Sequence, residues 1–118
     1  MPPVSSLRER LQAALPTAMK QRDTALVSAL RATLAALDNA GAVPTDDVGS
    51  LALELSPVGV GARELARREL SDDEVERLVR TEIDERRTAA QIYESAGESE
   101  RAGQLHHEAD ALAAVAQI

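Results

Sequence analysis

Apolar residues along this chain recur at helical spacing in four places, and one long stretch in the middle breaks every pattern. Leu7, Leu11, Leu15 and Met19 repeat once per turn and predict a first helix. Ser6 and Glu9 open it, spaced so that each side chain can satisfy a free amide of the first turn. Pro16 lacks the amide that would bond back to Gln12, so a kink is expected there, or a break with a short restart. Asp23 is placed to cap a second helix, on which Val27, Leu30, Leu34 and Leu37 form an apolar stripe. Gly41 follows Asn39-Ala40 and suits the left-handed position that ends such a helix.

Residues 42–62 carry Pro44, Gly49, Pro57, Gly59 and Gly61, which mark a long loop. Leu51, Leu53 and Leu55 alternate with Ala52 and Glu54, and with no second strand to pair they predict an extended segment pinned by its leucines. Arg63 to Glu69 are expected to add a short helix. Ser71 and Glu74 form a capping box, with Asp72 and Asp73 suited to the positive end of a third helix. That helix should run to about Ala96, burying Val75, Leu78, Val79, Ile83, Ala90 and Tyr93, until Gly97 stops it. A fourth, from about Glu100 to Ala116, turns Leu105, Ala109, Leu112 and Val115 or Ala116 inward. The pattern predicts a single all-α domain over residues 1–118: a compact bundle of four main helices with a long loop between the second and third.

Composition narrows what such a bundle can be. Its 118 residues suffice for one modest core. With no Phe or Trp and only Tyr93, that core must be built from Leu, Ala, Val and Ile, and small alanines favour close helix contact. A net charge of −7 works against non-specific attraction to phosphate backbones or anionic lipid. The absence of cysteine removes disulfides, thiol nucleophiles and Cys-based zinc sites. The opening Met1-Pro2-Pro3-Val4-Ser5-Ser6 lacks the basic patch and apolar run of a secretory signal, and no stretch approaches the ~18 apolar residues of a membrane helix. A cytoplasmic protein without a membrane partner is expected.

Polar residues inside the apolar stripes carry the sharpest expectation. Glu82 and Arg86 fall within the stripe of the third helix, and Arg31 flanks that of the second. A buried charge requires a partner, so helices two and three are expected to pack side by side, with Arg31 paired to Glu82 or Glu85. The functional alternative is a polar patch open to a ligand. His106 and Asp110 stand one turn apart beside His107 and Glu108, but two ligands do not make a metal site, and exposed helix surface is expected. Gly59-Val60-Gly61 lacks the preceding strand and the Lys-Ser or Lys-Thr pair of a phosphate loop. Arg63, Arg67, Arg68, Arg77, Arg80, Arg86, Arg87 and Arg101 are interleaved with acids, the pattern of a solvated, ion-paired helix, and base-stacking aromatics are missing. No nucleophile elbow frames the Ser, His and Asp residues, so neither a catalytic centre nor a cofactor is expected.

Lys20, Asp23 and Arg31, within Ala18-Met19-Lys20 through Leu30-Arg31, resemble the opening of the GatB/YqeY family. The second half is similar too, through Glu82, Glu85-Arg86-Arg87, Ala90, Tyr93, Gly97, Ala102, Leu105, Glu108 and Leu112. Val58 to Leu70 resembles a short variant found in high-GC bacteria, so the resemblance spans about residues 7–112. It implies an all-α module related to the tail of the B subunit of the tRNA-dependent amidotransferase. In that complex the tail is thought to engage tRNA while catalysis lies elsewhere, and the family's label of a glutamine-dependent carbon–nitrogen ligase is inherited from the complex. Longer members continue into a second helical module, which this chain, ending at Ala116-Gln117-Ile118, is expected to lack. Lys20, Asp23, Arg31, Glu82, Arg86, Arg87 and Tyr93 make up the candidate polar network or interaction surface. Two functions follow: an accessory module linked to tRNA amidation, with tRNA or an amidotransferase-like complex as partner, or a helical protein-interaction module with no tRNA role.

Overall fold

The computed structural model describes residues 6–42 and 68–118, and over these it is a four-helix bundle. The helices are α1 (Leu7–Lys20), α2 (Thr24–Gly41), α3 (Asp72–Ser95) and α4 (Ser99–Ala116). The expected extended segment and nearly all of the loop lie outside the described residues, as does most of the short helix proposed over Arg63 to Glu69. Its last two residues, Arg68 and Glu69, are described and are not helical.

Local chemistry sets the helix starts. Ser6 accepts from the Glu9 amide at 3.1 Å, while the Glu9 carboxylate takes the Ser6 hydroxyl at 3.2 Å instead of returning to the backbone. Asp23 caps α2 by accepting from the Leu26 amide at 3.2 Å. The α3 capping box is complete, with Ser71 and Glu74 each accepting from the other's backbone amide. That bond from Ser71, with the Arg68 guanidinium 2.8 Å away, holds the Glu74 carboxyl down from its ordinary 4.5 to about 2.

Two expectations change at the ends of these helices. α1 runs unbroken through Pro16, which lies exposed. Gly41 is the last residue of α2 instead of a left-handed stop. Its missing side chain serves proximity: a Cβ there would lie 3.1 Å from the Arg68 carbonyl oxygen, and the Arg68 amide donates to the Gly41 carbonyl at 2.9 Å.

The core is aliphatic and rich in alanine. Leu11, Leu30, Leu37, Val79 and Leu112 are buried, and Ala18, Ala29, Ala90, Ala102, Ala109 and Ala116 let the backbones approach. Thr33 is also buried and satisfies its hydroxyl on the Ala29 carbonyl at 2.7 Å. α3 and α4 form the most extensive pair, α1 packs on α2, and α2 closes the bundle mainly against α4. Arg10 reaches the Ala116 carbonyl at the end of α4 at 3.2 Å. Helices two and three therefore meet less than the sequence predicts. The short connection Ala96–Glu98 makes α3 and α4 hairpin neighbours, so α3 spends its inner face on α4.

The turns after α1 and α3 share one hydrogen-bond plan. At the first, the Asp23 amide reaches the Ala18 carbonyl and the Arg22 amide reaches that of Met19. At the second, the Glu98 amide reaches Tyr93 and the Gly97 amide reaches Glu94. Each is a Schellman motif, whose key residue must be left-handed. Gly97 adopts φ +81 without a side chain to obstruct it, whereas Arg22 holds φ 57 with one. Arg22→Gly is therefore expected to stabilise the bundle by about 0.5–1 kcal/mol, and Gly97→Ala to destabilise it by about 1 kcal/mol. Urea denaturation checks both; a loss of stability in Arg22→Gly would show that the arginine side chain supports the corner.

Candidate functional site

The seven candidate residues divide between two places. Glu82, Arg86, Arg87 and Tyr93 lie along the α3–α4 seam, while Lys20, Asp23 and Arg31 lie at the corner where α1 turns into α2.

At the seam, Arg86 is the organising charge. One of its nitrogens, Nε, donates to Glu108 Oε1 at 3.1 Å, and Nη1 donates to both the Glu82 carboxylate at 3.1 Å and the Glu82 carbonyl at 3.0 Å. Glu82 precedes Arg86 by one turn, the favourable order for such a pair on a helix. The Arg86 and Glu108 side chains are only 12% and 7% exposed, so both charges are largely withdrawn from water and depend on each other. Farther out, Arg87 lies 3.6 Å from Asp110, and the Arg101 guanidinium stacks over the half-buried Tyr93 ring, 5.8 Å from its centre.

This geometry corrects the predicted network. Arg31 pairs with neither Glu82 nor Glu85; it is exposed, and its Nη2 lies 3.9 Å from the Met19 sulfur. One position past the buried Leu30, it falls on the outer edge of α2, while α3 turns its charges toward α4. The partner that Arg86 takes is Glu108, expected on exposed surface but only 5% exposed as a residue. Its place between Leu105 and Leu112 at helical spacing was the signal that could have found it. Among the described residues no group of three or more His, Asp and Glu side chains could hold a metal ion, and no helix is long and apolar enough to cross a membrane.

At the corner, three cations gather. Lys20 ends α1, Arg22 occupies the left-handed turn, and Arg31 follows two turns into α2; among the described residues none forms an ion pair. The nearby carboxylate of Asp23 is committed to the Leu26 amide, with His107 Nε2 4.0 Å away. Between Arg22 and Arg31 lies an open groove of ≈ 690 Å³ walled by Met19, Arg22, Thr24, Val27, Ser28 and Arg31. Met19, predicted to face the core, is 49% exposed and forms part of it, its inward place in α1 taken by Ala18. Arg22 and Met19 were not recognised as site residues in the sequence. The only sign was that Gln21 and Arg22 alone separate the end of α1 from the Asp23 cap.

The two places predict opposite responses to truncation. Arg86→Ala strands buried carboxylates and should cost about 3–5 kcal/mol in chemical denaturation. Arg31→Ala at the exposed corner should cost less than about 0.5 kcal/mol, and a larger loss would return Arg31 to the structural network.

Compared with known proteins, the chain matches no family model, no curated protein and no solved structure.

Proposed function

We propose that this chain is a non-catalytic, YqeY-like accessory module linked to tRNA-dependent amidation, acting by binding a partner. The observation that carries the binding role is the α1–α2 corner, where Lys20, Arg22 and Arg31 keep their charges unpaired among the described residues of a chain whose net charge is −7. Arg86 is paired and largely withdrawn from water, whereas the corner cations are exposed and adjoin an exposed methionine, so positive charge and apolar surface meet there. The link to amidation rests on the resemblance to the GatB/YqeY family, whose residues Lys20, Asp23 and Arg31 include two of these three cations.

The second reading, a protein-interaction module with no tRNA role, is supported by the acids interleaved with the arginines of α3. Glu76 pairs with Arg80, and Arg86 and Arg87 are engaged by Glu108 and Asp110. Little basic surface is left there for a phosphate backbone, so the chain alone should bind bulk tRNA more weakly than ~10 µM at physiological salt.

Size-exclusion chromatography of the chain with the amidotransferase complex of its own host, with and without tRNA, separates the readings. Co-elution with the complex is expected, together with no glutamine turnover by the chain alone. Absence of association in both conditions, or a glutaminase activity abolished by a point mutation in this chain, would overturn the proposal.

A further inference from the structure

Three large hydrophobic residues are exposed among the described residues: Met19, Ile92 and Ile118. Ile92 lies beside Asp84 and Glu85 on the acidic outer face of α3, and Ile118 follows the last helix. Met19 alone of the three lies in a groove bordered by arginines. With Val27 it supplies an apolar floor, Thr24 and Ser28 add hydroxyls, and Arg22 and Arg31 stand at the walls, while the exposed Lys20 follows Met19 at the end of α1.

From this arrangement we infer that the α1–α2 groove is a docking site for an acidic amphipathic helix of a protein partner. The inference rests on the reading of this chain as a partner-binding module and specifies the surface and the chemistry of its occupant. The apolar side of such a helix covers Met19 and Val27, and its flanking Asp or Glu residues meet Arg22, Arg31 and Lys20. A thioether is suited to this use, because an unbranched, polarizable side chain adapts to different apolar partners.

Two observations favour this occupant over a polynucleotide. The floor is aliphatic, so a phosphodiester backbone gains nothing from covering it, and no wall residue is aromatic, so bases find nothing on which to stack. An amphipathic helix uses both halves of the surface at once.

Arg22 adds an independent argument. The turn it occupies is one that Gly97 fills without strain at the end of α3, yet here the left-handed position carries a long cationic side chain. A residue in that conformation lowers stability relative to glycine, as Gln117 also does at the end of α4, and at Arg22 the side chain so placed is a guanidinium on the wall of the groove. Arg31 is likewise uncommitted: it touches the Met19 sulfur at 3.9 Å and no carboxylate among the described residues.

The test uses the full chain, isotope-labelled for amide NMR, and a synthetic helical peptide of about 14 residues with leucines along one face and glutamates flanking them. A second peptide carries lysine in place of every glutamate, and bulk tRNA is the third probe. The glutamate peptide is expected to shift the amides of Met19 to Ser28 and of Arg31, with affinity falling as salt rises. Arg31→Glu should weaken it by about tenfold or more, and Arg22→Gly, which retains the fold, by at least several-fold. Absence of shifts at the corner would overturn the inference. So would equal binding of the lysine peptide, which would reveal apolar adhesion alone, or tighter binding of tRNA to the same amides. Failure of the chain to join an amidotransferase complex leaves this measurement unaffected, so the two proposals fail separately.

Discussion

A single guanidinium, that of Arg86, holds two carboxylates at the seam of the largest helix pair in the bundle. Removing Glu108 from water is unfavourable unless a cation meets it with good geometry. Arg86 meets it at 3.1 Å through Nε while Nη1 is fixed by Glu82 one turn earlier on its own helix. The i,i+4 pair therefore orients the guanidinium before it reaches across to α4. The rest of the core is aliphatic and largely non-directional, with leucines and alanines that tolerate small slips. The Arg86–Glu108 contact does not, and it fixes the register of α3 against α4 between the buried Ile83 and Ala90 on one side and Leu105 and Ala109 on the other.

That commitment shapes the surface elsewhere. α3 directs its inner charges to α4, and Arg31 contacts Met19 and no carboxylate among the described residues. The turn after α1 then adds Arg22 in a conformation glycine would adopt more easily. Among the described residues, three cations without an ion pair therefore lie at one corner of an acidic protein, near a methionine that the core does not use. Opposite conditions hold at the two places: Arg86 is paired and largely withdrawn from water, whereas Lys20, Arg22 and Arg31 form no ion pair among the described residues.

Much of the fold was legible in the sequence because its signals are local. The Ser71–Glu74 box, the Asp23 cap and the Gly97 stop each depend on residues within a turn, and the leucine stripes mark the inner faces directly. Charge pairing was not local. The stripes identified Glu82 and Arg86 as buried, but the choice between Arg31 and Glu108 as their partner depended on which helix lies beside α3. Glu108 was concealed among His106, His107 and Asp110, where its company suggested a solvated face, although its spacing from Leu105 and Leu112 put it inside. Gly41 was misread for a related reason: its role concerns the Arg68 backbone, distant in sequence, and not the turn that follows it. The corner was only half legible, since Lys20, Asp23 and Arg31 stood out by resemblance while Arg22 became distinct through a backbone angle.

The charges in and beside the apolar stripes divide into a buried clamp at Arg86 and an uncommitted corner at Arg31. A double-mutant cycle on Arg86 and Glu108, each replaced by methionine singly and together, measures the clamp directly, with Arg31 and Glu82 as the reference cycle. A coupling above about 2 kcal/mol is expected for the first pair, with the double variant recovering much of the stability lost by either single one, and a coupling near zero for the second. A coupling below about 0.5 kcal/mol between Arg86 and Glu108, or a larger one between Arg31 and Glu82, would contradict this division.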